Sequence, residues 1–245
     1  MSDLVGYLIK REDVLLGQGQ RGVLYDYVLA GNGVWIEAEG NLLGARVLVA
    51  PAQVRGLAPM ERKVILRHGR IPQGLWDLAL DVMLADPDRE RYVAITWEDD
   101  RYHIHVPEQK RSAGGISEIQ LPENRVVDLH SHCGLSAYFS GTDNGDEQGF
   151  QLYVVVGKLD DKPVVRLRVG IYGHFQEVPW DHVFSGQLVG ARNEEEEVEV
   201  EEVFWWEPGG LAKILARMEW QDAAEREAFL KMTGQDLKMT GQDRI

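Results

Sequence analysis

Apolar residues in the first sixty positions come in short runs cut by turn residues, a pattern of strands rather than helices. Residues 23–30 are rich in strand formers and stop at Gly31-Asn32-Gly33, a strong turn signal. Apolar character resumes over 34–38, turns again at Glu39-Gly40-Asn41, and returns over 45–50. The first helical period starts at Pro72, a residue favoured in a first turn. Leu75, Leu78, Ala79, Val82 and Met83 then recur as one face of a helix, and Asp86-Pro87-Asp88 ends it. Strands are predicted over 91–97 and 102–106, joined by a turn at Glu98-Asp99-Asp100, and a glycine loop at Gly114-Gly115 leads onward. The run Arg125-Val126-Val127-Asp128-Leu129 is β-branched and apolar, and further strands follow over 151–157 and 164–172. Helix, hairpin, strand, short helix and more strands together predict an α/β sandwich with a central sheet.

After Gly186 the pattern changes. Residues 194–202 form an acidic run whose alternating valines permit an edge strand, and 209–231 has the apolar spacing of a helix. The tail repeats Lys-Met-Thr-Gly-Gln-Asp at 231–236 and 238–243, too few and too short for a solenoid, and a frayed end is expected. Three regions follow: a β-rich part over 1–60, a main domain over 61–185, and an acidic segment with a helix and tail over 186–245.

The chemistry concentrates where the strand over 125–129 ends. His130-Ser131-His132 is followed after seven residues by Ser140-Gly141-Thr142-Asp143, giving His-x-His-x7-Ser-x-x-Asp. Side chains two apart on a strand share a face, so His130 and His132 offer two imidazoles to one point. A loop can bring the Asp143 carboxylate to the same point. Two neutral nitrogens and one carboxylate oxygen suit Zn²⁺ with one position left for water. A metal so held acidifies its water and polarises a carbonyl. Ser140 and Asp143 also have the spacing of a helix N-terminal capping box, and both roles are compatible.

Composition narrows the function classes. A net charge of −14 argues against a nucleic-acid binder, because phosphate neutralisation needs a basic surface. One cysteine, Cys133, leaves no intrachain disulfide and fits a reducing cytoplasm. No apolar run approaches the roughly 20 residues of a membrane helix, and the start of the chain lacks a signal-type core. A cytoplasmic protein is expected.

The segments Asp128-Leu129-His130-Ser131-His132 and Ala137-Tyr138-Phe139-Ser140-Gly141-Thr142-Asp143 resemble the JAMM metalloprotease signature. Residues 64–183 fit the element order of that family. Val54-Arg55-Gly56-Leu57 and His68-Gly69-Arg70-Ile71-Pro72, with Phe139 to Asp143, are most similar to its branch in the bacterial PRTRC plasmid system. The resemblance implies a JAB/MPN-type three-layer sandwich around a mixed central sheet, and zinc-dependent hydrolysis of amide or isopeptide bonds. His130, His132 and Asp143 would hold zinc, and Ser140 would hydrogen-bond the substrate carbonyl oxygen. Glu90, ahead of the strand after the first helix, would be the general base, with Glu98 as second choice. The implied substrate is the peptide tail of a ubiquitin-like or sulfur-carrier-like protein, with a ThiF-family activating enzyme as companion. The alternative is a non-catalytic JAB-fold interaction module in a plasmid-encoded complex. One departure from the family is Cys133, where many relatives have proline; its thiol is either a fourth ligand or a small packed residue.

Other candidates read more plainly. His103 and His105 make a second His-x-His without a spaced carboxylate, which fits a hairpin that is exposed or faces substrate. His68, His174 and His182 stand singly, and Trp205-Trp206 reads as packing. Asp146 and Glu147 follow Asp143 closely and add negative potential that favours a cation.

Overall fold

The structure is a computed structural model and describes residues 3–12, 14–17, 21–108, 110–112, 115–117 and 121–193. The acidic run, the helix expected over 209–231, Trp205-Trp206 and the repeated tail lie outside the described residues.

Six strands build the first sheet: β1 (Val5–Arg11), β2 (Val14–Gly17), β3 (Tyr25–Ala30), β4 (Gly33–Glu39), β5 (Leu43–Pro51) and β6 (Lys63–Leu66). Their order is β2-β1-β3-β4-β5-β6, antiparallel except for the parallel pair β1 and β3. Three of these strands match the runs predicted over 23–50. In this sheet Asp26 lies directly across from Glu37, and both are buried. Like charges so placed repel. Arg21 approaches both carboxylates and Arg46 Nη2 donates to Glu37 Oε1 at 2.5 Å, which neutralises the pair.

Helix α1 (Gln73–Leu84) follows, with Pro72 at its N-cap. Its buried face is Trp76, Ala79, Leu80 and Met83, whereas Leu78 is half exposed. The predicted stripe is therefore rotated by about one residue. The Trp76 indole decides the rotation: it is fully buried, edge-on to Trp180, and its Nε1–H donates to the Val189 carbonyl at 3.1 Å. A large ring with a satisfied polar edge outweighs Leu78, which faces outward.

The second sheet holds β7 (Tyr92–Glu98), β8 (Arg101–His105), β11 (Arg125–Ser131), β12 (Phe150–Gly157), β13 (Val164–Ile171) and β14 (His174–Glu177) in the order β14-β13-β12-β11-β7-β8. A short β15 (Arg192–Asn193) lies beside β13. Between β8 and β11, β9 (Lys110–Ser112) and β10 (Gly115–Ser117) form a separate antiparallel pair. In this sheet β11–β12 and β13–β15 are parallel, and with the parallel β1–β3 pair of the first sheet both large sheets are mixed. Helices α2 (Gly141–Asp146) and α3 (Trp180–Val183) are short. The architecture is mixed α/β with few helices. Among the described residues no helix is long and apolar enough to cross a membrane.

One core joins these parts. Ile36, Ala45 and Val47 of the first sheet, Trp76 and Met83 of α1, and Leu129 and Val154 of the second sheet belong to the same buried cluster. The second sheet thus has an apolar face in the core and an opposite face free to carry polar groups. Val93, Leu129, Val154 and Leu167 form a register row on the core side. Tyr92, Asp128, His130, Tyr153 and Arg168 belong to the other side.

Candidate metal centre

Strand alternation builds the site first. Val127 and Leu129 enter the core, which turns Asp128 and His130 to the polar face. His132 lies one residue beyond β11, still in line, because its N–H donates to the Val156 carbonyl of β12 at 2.8 Å. The Ser131 hydroxyl accepts the Arg91 N–H at 2.9 Å and so ties β7 to the same end.

The chain then has to reverse to bring Asp143 back. Cys133 adopts φ 52°, and residues 135–137 pass directly over Gly157. A Cβ at Gly157 would lie 2.3 Å from the Leu135 carbonyl oxygen and 2.4 Å from the Ala137 nitrogen, so only glycine lets the loop close there. Ala137 and Phe139 pack on Val155 and Val164 and pin the return segment. Helix α2 begins with the capping box read in the sequence: Asp143 N–H donates to Ser140 Oγ at 3.1 Å, and Ser140 N–H donates to Asp143 Oδ2 at 2.5 Å.

The three expected ligands meet. His130 Nε2 and His132 Nε2 are 3.1 Å apart; Asp143 Oδ1 is 3.4 Å from the first and Oδ2 is 3.7 Å from the second. Zinc bonds of about 2.0–2.1 Å at tetrahedral angles space their donors by about 3.3–3.4 Å. One donor atom from each residue lies within 4.8 Å of the other two, a grouping close to that spacing that could hold an ion. It is the one group among the described residues that could hold a metal ion. Cys133 stands outside it and is half-buried; its thiol pKa is raised by burial and by the charges of Glu90, Asp88 and Asp86.

Protonation suits a cation as well. Burial lowers the His130 pKa to about 4, helped by His132 and Arg168 and opposed by Asp143. Burial likewise lowers that of His132, with Asp143 and the Ser136 backbone opposing. Both rings are therefore neutral at neutral pH, the form a metal needs. Burial works against the Asp143 carboxylate, but the neighbouring histidines and the hydrogen bonds with Ser140 hold its pKa below the ordinary value.

Glu90 precedes β7, and β7 pairs with β11 through Tyr92 opposite His130. The Glu90 carboxyl is partly buried and close enough to Asp143 for burial and that charge to raise its pKa. Glu98 ends the same strand, about 20 Å further along it, and is exposed. Of the two candidate bases, only Glu90 is at the histidine end.

Sequence reading missed Arg168 of β13. It is 5% exposed and bridges Glu147 and Asn144 behind the site. The alternating Arg166 and Arg168 inside an otherwise apolar strand were the available signal, since they point to a polar face on a buried sheet. Glu147, read as a source of negative potential, is instead ion-paired with Arg168, and its pKa is pushed up to about 7 by burial, with Asp143 and Asp128 adding to the rise against the pull of Arg168. Beside the triad opens a cleft of about 300 Å³ lined by Tyr138, Phe139, Arg166, Arg168, Phe175, Gln176 and Glu177. Tyr138 joins cleft to triad, its ring edge-on to His132 at 4.9 Å.

The remaining histidines have plain roles. His68 stacks on Trp97 with ring centroids 4.0 Å apart, and His174 Nε2 is 2.9 Å from the Tyr27 hydroxyl. His103 accepts from Arg101 Nε at 3.1 Å, and with His105 it joins no metal-ligating group among the described residues. His182 is in α3.

No family model and no curated protein matches the chain. Solved structures do match, among them one described as "JAMM: A Metalloprotease-like Zinc Site in the Proteasome and Signalosome". That likeness is 18% in identity, covers 45% of this chain and 92% of the other, and has a TM-score of 0.32. The candidate metal centre rests on its own geometry, not on this likeness.

Proposed function

We propose that the protein is a zinc-dependent hydrolase of amide or isopeptide bonds with a JAB/MPN-type fold. The observation that carries this reading is the convergence of His130 Nε2, His132 Nε2 and the Asp143 carboxylate on one point of a sheet end. The JAMM-like spacing of those residues with Ser140 supports it.

His130, His132 and Asp143 would hold the ion. Zinc bound there supplies Lewis acidity, which polarises a carbonyl and acidifies water. Glu90 takes the proton of the attacking water as its oxygen bonds to the carbonyl carbon. It then gives that proton to the departing nitrogen as the C–N bond breaks. Burial and the Asp143 charge raise its pKa above the ordinary carboxylate value, which makes it a better proton acceptor. Ser140 Oγ accepts from Asp143 N–H, which leaves the hydroxyl proton to donate to the carbonyl oxygen as charge grows there.

The proposed substrate is the flexible tail of a ubiquitin-like or sulfur-carrier-like protein, with a ThiF-family activating enzyme as companion. The setting proposed is the PRTRC plasmid system of a bacterial cytoplasm. The test is cleavage of a ubiquitin-like fusion by zinc-loaded protein. Cleavage lost on chelation, and in Glu90→Gln with zinc still bound, supports the reading. Full activity in Glu90→Gln removes the base assignment. Zinc binding without cleavage of any tail favours a JAB-fold interaction module instead.

A further inference from the structure

Arg168 is buried, and its guanidinium plane is covered on both sides. The Phe139 ring lies 3.7 Å from it and the Phe175 ring 3.8 Å. All three nitrogens are engaged: Nε and Nη2 donate to Glu147 Oε2 at 3.0 and 2.5 Å, and Nη1 donates to Asn144 Oδ1 at 2.7 Å. Burying such a pair is costly, and well-packed apolar residues often do as well for stability alone. Its placement indicates what else it does. Asn144 and Glu147 are the residues whose N–H groups donate to Ser140 and Asp143 carbonyls, so Arg168 grips the helix that carries the aspartate ligand. The other oxygen of Glu147, Oε1, lies 3.9 Å from His130 Nδ1, beyond hydrogen-bond length but near enough for its charge to act on that ring nitrogen.

We propose that Arg168 and Glu147 are positioning residues for the metal centre: Arg168 fixes the Glu147 carboxylate near His130 Nδ1, where its negative charge favours the tautomer with the proton on Nδ1 and Nε2 open to the ion. This rests on the reading of His130, His132 and Asp143 as ligands. A carboxylate behind a ligating histidine orients the ring, sets its tautomer and raises its basicity. Arginine suits the task because its rigid fork holds both the carboxylate and the Asn144 amide oxygen, while stacking lets it sit between two phenyl rings.

The test is zinc affinity by competition with a chromogenic chelator, alongside ¹⁵N NMR of the His130 ring and the melting temperature of the zinc-free protein. Glu147→Gln should bind zinc about 10–100-fold more weakly, the usual loss for such a partner. It should also lose the His130 Nδ1–H signature. Glu147→Gln leaves Arg168 buried without its counter-charge, so the double variant Glu147→Gln with Arg168→Met separates positioning from stability. The double variant should recover the melting temperature and still bind zinc weakly. Wild-type zinc affinity in the double variant, or an unchanged His130 ring signal, would overturn the proposal. Absence of zinc uptake by the wild-type protein is a different result: it overturns the ligand reading itself, and His132→Ala marks the level of binding without a site.

Discussion

Ser140 and Asp143 hydrogen-bond each other twice, Asp143 N–H to Ser140 Oγ and Ser140 N–H to Asp143 Oδ2. One reciprocal pair therefore starts α2 and aims the carboxylate at the two imidazoles. Ser140→Ala removes the cap acceptor and should cost about 0.5–2 kcal/mol of stability, whereas Ser140→Gly should cost only about a few tenths. Both should lower turnover by about 10²–10³ if the hydroxyl also serves the carbonyl oxygen. Urea unfolding beside kcat for the two variants checks this. Equal turnover in wild type and Ser140→Gly would leave the serine as a cap alone.

Acid should destabilise the metal-free protein through the histidines. The His130 pKa is about 4 in the folded chain against an ordinary 6.5. Between those values the unfolded chain holds the extra proton, so stability is full above about pH 6.5 and is lost as pH falls toward about 4. The loss should be on the order of 1–3 kcal/mol, in part because His132 is lowered too. Urea midpoints at about pH 4.5 and about pH 7 measure it. His130→Gln should flatten the dependence, and an unchanged slope in that variant would point to another group.

Gly157→Ala tests the loop that returns the aspartate. The new methyl meets backbone atoms of Leu135 and Ala137, which cannot rotate away. The loop must shift, at a cost of about 1–3 kcal/mol. Zinc affinity should fall with it, because the displaced segment leads directly to Ser140 and Asp143. Calorimetric melting and chelator competition on the same sample read both effects. Tight zinc binding in a destabilised Gly157→Ala protein would mean that Asp143 is positioned by α2 alone.

Far from the site, the opposed carboxylates of Asp26 and Glu37 make Arg46 important for the first sheet. Arg46→Met leaves Glu37 buried with only the half-exposed Arg21 nearby. A loss of about 3 kcal/mol is expected, the lower end for breaking a buried pair. The double variant Arg46→Met with Glu37→Gln should recover part of it. Thermal unfolding of the single and double variants decides the point.

Local chemistry was legible in the sequence. The period of two at the end of β11 put His130 and His132 on one face, the Ser-x-x-Asp spacing announced a capping box, and turn residues marked three of the six strands of the first sheet. These features depend on neighbours a few residues apart, which is the range over which backbone geometry speaks. Tertiary structure alone decided the rest. Helix α1 presents Trp76 rather than Leu78 because the pocket made with Trp180 sets its rotation. Glu90 precedes β7 and Glu98 ends it, and only the antiparallel pairing of Tyr92 with His130 says which end faces the site. Asp143 meets His132 eleven positions away because Gly157 lets the chain cross over β12. Arg168 reaches Glu147 across twenty-one positions through strand order, a relationship no local period encodes. Side-chain spacing names the donors, and packing over long separations determines whether they meet.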